Sequence, residues 1–289
     1  MSAARIALTD INALPREAFA AALGPIFEHS PWVAEHAFAA RPFATVAAVH
    51  EAMMAALRGS PAGRQLAVIK AHPELGSKVA RADITAESRS EQGSLGLDRL
   101  SDDEFARFQT LNTQYRDRFG FPFIVCVRRH TRDSILRVFA QRLANDPETE
   151  RAAALTEIGY IARLRIADRL EGPGMPKTDG RLSTHVLDIA KGRPAAGVPV
   201  ALYEVGGSAR GLLAQAVTNA DGRTDTPLLS GAPLRIGTYE LEFDLGAHFA
   251  GQPALFGTVP LRFSIAEPEG HYHVPLLVTP WSYSTYRGS

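Results

Sequence analysis

The chain has 289 residues, 45% apolar and 21% charged, so it can bury one or two hydrophobic cores and is neither disordered nor fibrous. Basic and acidic residues both number 31, which leaves none of the excess positive charge that a nucleic-acid partner would need. The single cysteine, Cys126, excludes an internal disulfide framework. No apolar run is long enough to span a membrane, and none forms the core of a signal peptide. We therefore expect a cytoplasmic protein that does not bind membranes.

Residues 1–171 are predicted to form an all-α domain. They contain 32 alanines but only 8 glycines and 8 prolines, and their apolar residues recur at helical spacing. Suitable N-cap residues predict helices that start at Asn12, Thr45, Ser101 and Asp146 and run to residues 23, 57, 119 and 170. Residues 121–127 are the exception, because a β-branched apolar run favours a buried strand on propensity alone.

The composition changes near residue 172. Residues 172–289 contain 13 alanines, 16 glycines and 11 prolines, and apolar residues now alternate with polar ones. Strands are predicted at 183–188, 198–203, 239–243, 261–265 and 272–278, separated by turn residues, which is typical of a β-sandwich. Because residues 172–180 are rich in helix breakers, we expect a linker there, between domains at 1–171 and 181–289.

Three polar residues stand out in the predicted sandwich. His185 lies within the first predicted strand, His273 opens the last long one, and Arg223 follows a turn that would present it at a strand start. Two imidazoles and a fixed cation suit the activation of water and the polarisation of a carbonyl. Spacing alone does not bring them together, and each of them can equally be an ordinary solvent-facing residue.

Three segments of this part, at 182–188, 218–226 and 271–289, closely resemble the transthyretin-related hydroxyisourate hydrolases. The resemblance implies a two-sheet sandwich that hydrolyses 5-hydroxyisourate and assembles through this domain into a homotetramer or a larger oligomer, with sites in a channel between dimers. Its implied site consists of the catalytic residues His185, Arg223, His273 and Ser289 and the substrate-binding residue Tyr286.

Other chemistries for this domain are less well supported. Ser282, Ser284 and Ser289 lack the surrounding motif of a serine nucleophile, so we expect direct attack by water. A metal at His271 and His273 is disfavoured, because no carboxylate accompanies them at ligand spacing. A carrier role like that of transthyretin is disfavoured too, because the hormone carriers lack the histidine, arginine and terminal tetrapeptide set.

The first domain has its own candidate residues. Ser88, Glu91 and Gln92 are three and four residues apart, so one helical face would present a hydroxyl, a carboxylate and an amide. An ordinary solvated helix is the alternative. His72 precedes Pro73, which disfavours helix at the histidine and can begin a new helix, so His72 can equally be a cap.

The segments 72–76, 87–92, 119–124 and 163–170 resemble the 2-oxo-4-hydroxy-4-carboxy-5-ureidoimidazoline (OHCU) decarboxylases, an all-α family. The resemblance covers residues 5–171 and treats 121–127 as a buried extended segment between helices. It implies that His72 is the catalytic acid/base and that the substrate OHCU is bound by Pro73, Ser88, Glu91, Gln92, Ile124 and Arg165. Arg163 and Arg169 compete for the role given to Arg165.

Together the two resemblances imply a bifunctional enzyme of urate degradation, with an all-α bundle-like domain followed by a transthyretin-like β-sandwich. The second domain would hydrolyse 5-hydroxyisourate to OHCU, and the first would decarboxylate OHCU to (S)-allantoin and CO₂. We expect no cofactor and no metal, because the motifs contain neither a lysine for a Schiff base nor a phosphate-binding loop. A non-enzymatic ligand-binding protein is the alternative.

Overall fold

The structure, a computed structural model, describes residues 4–76, 86–93, 95–96, 100–207 and 209–288. Ser289, one of the candidate catalytic residues, lies outside this range. The described chain divides into two compact units: the first runs up to Arg128 and resumes at Ile135–Lys177, and the second contains Arg129–Ser134 and the chain from Thr178 onward. The last boundary between the units, at Lys177 and Thr178, falls inside the segment 172–180.

The helices of the described residues are α1 (Leu8–Ala13), α2 (Arg16–Leu23), α3 (Trp32–Ala37), α4 (Val46–Arg58), α5 (Ala62–Lys70), α6 (Ala86–Gly93), α7 (Asp102–Phe119), α8 (Arg132–Arg142) and α9 (Pro147–Arg169). A short parallel pair, β1 (Ile6–Ala7) and β2 (Leu170–Glu171), joins the two ends of this helical part. Pro173 and Gly174 still belong to the first unit, since their carbonyls accept hydrogen bonds from the first backbone N–H groups of α4.

Local capping chemistry starts three of the predicted helices where expected. Thr45 caps α4, Ser101 forms a complete capping box at α7, and Asp146 caps α9. The fourth expectation is wrong: Asn12 lies inside α1, and its side-chain amide hydrogen-bonds the backbone N–H and carbonyl of Phe43 instead (2.8 and 2.9 Å). Asn12 therefore makes a tertiary contact and does not cap a helix.

The long helix α9 forms part of the core of the helical unit. Its apolar residues, such as Ile158 and Ile166, are buried with Val49 and Met53, and both α4 and α5 pack against it. Burial of this apolar surface is the main favourable contribution to folding of the unit. It also takes polar side chains of α9, Arg165 among them, into the interior.

Residues 121–126 form neither helix nor strand although they are buried. Side chains of two helices bond their backbone: Arg142 Nη1 donates to the Ile124 carbonyl (2.7 Å), and the Cys126 N–H donates to Glu157 Oε2 (2.8 Å). These partners take the place of a neighbouring strand. The propensity-based expectation of a strand is therefore wrong, and the segment is a buried connection between helices.

The second unit is a β-sandwich of two four-stranded sheets. Its strands are β3 (Arg181–Asp188), β4 (Arg193–Pro194), β5 (Pro199–Gly206), β6 (Ala209–Val217), β7 (Gly237–Asp244), β8 (Thr258–Ile265), β9 (His271–Val278) and β10 (Tyr283–Thr285). One sheet has the order β10–β9–β3–β4 and the other β6–β5–β7–β8. The predicted fold class, helical and then β-sandwich, is confirmed. No helix among the described residues is long and apolar enough to cross a membrane.

Strand β6 was not predicted, because adjacent exposed leucines, Leu212 and Leu213, break the alternation of apolar and polar residues. A register shift at Leu202 and Tyr203 of the paired strand β5 accommodates this irregularity. Alternation on β3 is regular by contrast.

The parallel pair β3 and β9 positions the candidate polar residues of the sandwich. Thr184 and Val186 of β3 are buried between the sheets, and strand alternation therefore places Ser183 and His185 on the outer face. The register aligns Ser183 with His273 across the pair. One outer sheet face thus carries both candidate histidines.

Candidate active sites

A cavity in the helical unit is lined by residues from separate stretches of chain: the end of α5, α6, the 121–127 segment and α9. All seven residues that the decarboxylase resemblance implied line it: His72, Pro73, Ser88, Glu91, Gln92, Ile124 and Arg165. The predicted single face of α6 exists and points three polar residues into this cavity.

Arg165 is the central cation of this cavity. Its guanidinium bonds both carboxylate oxygens of Glu91 (Nε to Oε1 3.0 Å, Nη2 to Oε2 2.9 Å), and Nη2 also donates to Ser88 Oγ (3.0 Å). Among the described residues, neither Arg163 nor Arg169 lines the cavity. Of the three arginines considered for this role, the structure therefore places Arg165 in the cavity.

Glu28 is a buried residue of this site that the sequence reasoning missed. Its carboxylate, fully shielded from solvent, accepts a hydrogen bond from Ser88 Oγ (2.9 Å) and lies 3.4 Å from Arg165 Nη1. The next residue, His29, has a left-handed φ of 47°. The sequence contained one indication that Glu28 is buried: its carboxylate directly follows two apolar residues, Ile26 and Phe27, which are both buried.

His72 lies just beyond the end of α5 and is 8% exposed. No helix begins at Pro73, which removes the alternative that His72 is only a helix cap. The imidazole Nδ1 is 2.9 Å from the Val68 carbonyl, which can only accept, so Nδ1 carries the proton of the neutral ring. Burial lowers the pKa of His72 to about 4, and the charge of Arg165 acts in the same direction. At neutral pH the ring is neutral and Nε2 has a lone pair.

A second cavity, of about 210 Å³, lies in the sandwich. It is lined by two of the candidate residues, Arg223 and His273, and also by Arg181, Ser183 and His271. Arg181 and Ser183 were not among the candidate residues. They lie four and two residues before His185 on β3, and this even spacing was a signal that they share its face.

His185 joins this group through two contacts. It forms an isolated backbone bridge with Arg223, and its ring centroid lies 6.5 Å from that of His273. Arg223 thus sits at a bridge rather than at a strand start. Burial and then the charge of Arg223 lower the pKa of both histidines. His185 Nε2 is buried without a hydrogen-bond partner among the described residues.

The end of the described chain packs against His273. The Gly288 N–H donates to the His273 carbonyl (2.8 Å), and a Cβ at Gly288 would lie only 2.6 Å from His273 Cδ2. Only glycine fits here. Tyr286 is 57% exposed, and within the described chain neither it nor His185 lines the cavity. No cluster of three metal-ligating side chains occurs in the part of the chain that the structure describes.

Comparisons with known proteins match each half separately. The sequence profile of the OHCU decarboxylase family matches residues 12–167, and that of the HIUase/transthyretin family matches residues 182–288. A Haloferax volcanii protein named 2-oxo-4-hydroxy-4-carboxy-5-ureidoimidazoline decarboxylase is 41% identical over 164 residues, 57% of this chain and 96% of that protein. A Deinococcus radiodurans 5-hydroxyisourate hydrolase is 54% identical over 113 residues, 37% of this chain and 95% of that protein.

One solved structure matches both halves together. The crystal structure of an (S)-allantoin synthase is 36% identical, covers 98% of this chain and 100% of its own, and superposes with a TM-score of 0.53. The helical part of this chain therefore belongs to the OHCU decarboxylase family and its β-sandwich to the HIUase/transthyretin family, so the protein is a fusion of the two.

Proposed function

We propose that the protein is a bifunctional enzyme of urate degradation, which hydrolyses 5-hydroxyisourate to OHCU and decarboxylates OHCU to (S)-allantoin and CO₂. The observation that carries the proposal is the convergence of the seven decarboxylase residues, scattered from His72 to Arg165, on one cavity. The grouping of His185, Arg223 and His273 in the sandwich supports the hydrolase half. The similarity to an (S)-allantoin synthase over 98% of the chain supports the combination.

In the decarboxylase site, binding and orientation fall to the polar face of α6 and to Arg165. Glu91 and Gln92 offer an acceptor and an amide to the ureidoimidazoline, and Ile124 and Pro73 cover it. The substrate carries a hydroxyl and a carboxylate on one ring carbon. Loss of CO₂ leaves an electron pair that the neighbouring imine takes up, and the imine nitrogen then takes a proton from solvent. Orientation and hydrogen bonding therefore lower the barrier without a cofactor.

His72 is the acid/base of this step. Its neutral ring has a lone pair at Nε2, so it first accepts the proton of the substrate hydroxyl. The imidazolium so formed then donates that proton to the ring carbon that bears the ureido group. Delivery from one side makes a single enantiomer. The low pKa of His72 suits this order, because the ring must be neutral before it acts and strongly acidic afterwards.

In the hydrolase site, water attacks the amide carbonyl of the six-membered ring. His273 accepts a proton from the water, Arg223 stabilises the charge that develops on the carbonyl oxygen, and the ring nitrogen leaves with a proton. We assign His185 to orient the attacking water: burial and the charge of Arg223 lower its pKa, so the ring is neutral and can accept a hydrogen bond from that water. Tyr286 and Ser289 are assigned to substrate contact from the chain end.

We also propose a homotetramer or larger assembly through the sandwich, working in the cytoplasm. Strand β10 is the edge of its sheet, and Trp281, Tyr283 and Tyr286 around it are 62%, 40% and 57% exposed. An unpaired edge with exposed aromatic side chains is suited to pair with another copy. Such an assembly would bring the exposed Tyr286 to a cavity it does not line within its own chain.

The test uses freshly prepared 5-hydroxyisourate and the purified full-length chain. Ultraviolet absorbance follows its loss and the rise and decay of OHCU, and circular dichroism of the product reports its handedness. We expect rapid loss of both compounds and optically active allantoin. If hydroxyisourate and OHCU decay only at their spontaneous rates, the proposed function is wrong and a ligand-binding role becomes the better explanation.

A further inference from the structure

Ser183 lies between two histidine rings on the outer face of the β10–β9–β3–β4 sheet, and the proposed mechanism gives it no role. Its Oγ is 3.0 Å from His273 Nδ1 and 3.1 Å from His271 Nε2. The contact comes from regular strand pairing, because Ser183 and His273 are directly opposite in the β3–β9 register. All three side chains line the same cavity.

A serine hydroxyl has one proton, so it can bond both rings only by donating to one nitrogen and accepting from the other. In one arrangement His273 Nδ1–H donates to Ser183, Ser183 donates to His271 Nε2, and His273 Nε2 keeps a lone pair. In the reverse arrangement Ser183 donates to His273, whose proton is then on Nε2. Arg223 and Arg181 line this cavity, and their positive charges act on His273. Because a guanidinium only donates, these neighbours favour the arrangement in which Nε2 keeps its lone pair.

The opposite edge of the His273 ring is also held. Gly288 packs on Cδ2 so closely that no side chain would fit, and its N–H bonds the His273 carbonyl. With Ser183 at Nδ1 and Gly288 at Cδ2, the ring has one orientation. Within the described residues, Nε2 makes no hydrogen bond.

We propose that Ser183 and His271 are positioning residues that fix His273 as its Nδ1–H tautomer, leaving Nε2 as the general base of the hydrolase reaction. This inference rests on the proposed function. Nε2 takes a proton from the attacking water, and the Nδ1–H of the imidazolium donates to Ser183 Oγ, whose own proton is shared with His271 Nε2. The proton on Nε2 then passes to the leaving ring nitrogen, which restores the neutral ring.

The proposal predicts a shifted pH profile as well as a slower reaction. Burial lowers the pKa of His273, and the charges of Arg223, His185, His271 and Arg181 lower it further. Ser183 Oγ is the acceptor for the protonated ring, so its removal should lower the pKa again. In Ser183→Ala the acid limb of kcat/KM for hydrolysis should therefore move to lower pH.

The experiment compares four full-length variants, Ser183→Ala, Ser183→Thr, His271→Phe and the control Ser264→Ala, in hydroxyisourate hydrolysis. Ser264 is exposed on β8 of the other sheet, away from this cavity. We expect kcat to fall about 10-fold or more in Ser183→Ala and His271→Phe, with KM little changed, as for loss of a group that orients a catalytic base. Ser183→Thr, which keeps the hydroxyl, should stay within about 3-fold of the parent protein.

Two readouts separate this proposal from the function on which it rests. Decarboxylation of OHCU by the same variants checks folding, and two-bond ¹H–¹⁵N spectra report the His273 tautomer without any turnover. An Nδ1–H tautomer that is lost in Ser183→Ala supports the inference even if hydroxyisourate proves not to be the substrate. An Nε2–H tautomer in the parent protein, unchanged kcat and pH profile in Ser183→Ala, or equal loss in Ser183→Thr would each overturn it.

Discussion

Replacing Glu28 by glutamine tests the buried network of the helical site most directly. The change is isosteric, and the amide oxygen of the new side chain could still accept from Ser88 Oγ, which lies 2.9 Å from the present carboxylate. What is removed is the negative charge 3.4 Å from Arg165 Nη1. Because both side chains are buried, this charge is poorly screened by solvent.

The size of the effect follows from the geometry. At 3.4 Å two unit charges attract by about 5 kcal/mol at an effective dielectric constant of about 20. Much of this is offset, because a neutral glutamine does not carry the desolvation cost of a buried carboxylate, and because Arg165 keeps both hydrogen bonds to Glu91. We expect a net loss of about 2 kcal/mol, the value typical of a hydrogen bond to a charged group.

If all of this loss acts on the position of Arg165 in the transition state, decarboxylase kcat/KM falls at most about 30-fold. The assay is decarboxylation of OHCU by the full-length variant, with hydroxyisourate hydrolysis in the same chain as an internal control that should not change. Asp168→Asn is the matched variant, because it breaks an ion pair at 2.5 Å to Arg128 whose partners are 28% and 56% exposed. Such an exposed pair should contribute about 1 kcal/mol or less.

If Glu28→Gln stays within about 2-fold of the parent protein in decarboxylation while Asp168→Asn does not, burial is not what makes the Glu28 contact important. Loss of both activities in Glu28→Gln would instead show that the change acts beyond the helical site.

The pKa of His72 is about 4 in the folded protein and about 6.5 in the unfolded chain, so the neutral ring stabilises the fold fully above pH 6.5, and this contribution is lost as pH falls towards 4. The pH profile of kcat/KM for decarboxylation should therefore have its acid limb near pH 4. An acid limb near pH 6.5 would contradict the assignment of His72 as a buried neutral base. His72→Ala should leave hydroxyisourate loss unchanged while OHCU accumulates and allantoin forms without optical activity; retained enantiomeric excess at normal speed would exclude this role. Gly288→Ala should lower the rate of hydroxyisourate hydrolysis about 10-fold or more by displacing the chain end from His273, while decarboxylation stays intact. The control is Gly257→Ala, where an added Cβ meets nothing within 4 Å. Equal hydrolase activity of the two variants would refute the close packing of Gly288 on His273.

Much of the architecture was predictable because its causes are local. The capping residues Thr45, Ser101 and Asp146 act within one helical turn, and strand alternation depends only on neighbouring residues. Predictions from local sequence were wrong where a side chain has a partner far away along the chain. Asn12 is suited to cap a helix, yet it bonds Phe43, 31 residues away.

For the candidate sites, the segments that carry chemistry can be recognised without a structure, because short motifs of histidine, serine, glutamate and arginine are visible in the sequence. The tertiary structure was needed to show that Arg165 rather than Arg163 or Arg169 enters the cavity, since three arginines on one helix differ only in the face they occupy. It alone joined Glu28 to Ser88, 60 residues apart, and Ser183 to His273, 90 residues apart. Contacts at such separations depend on how whole helices and strands pack, and no local pattern of residues encodes them.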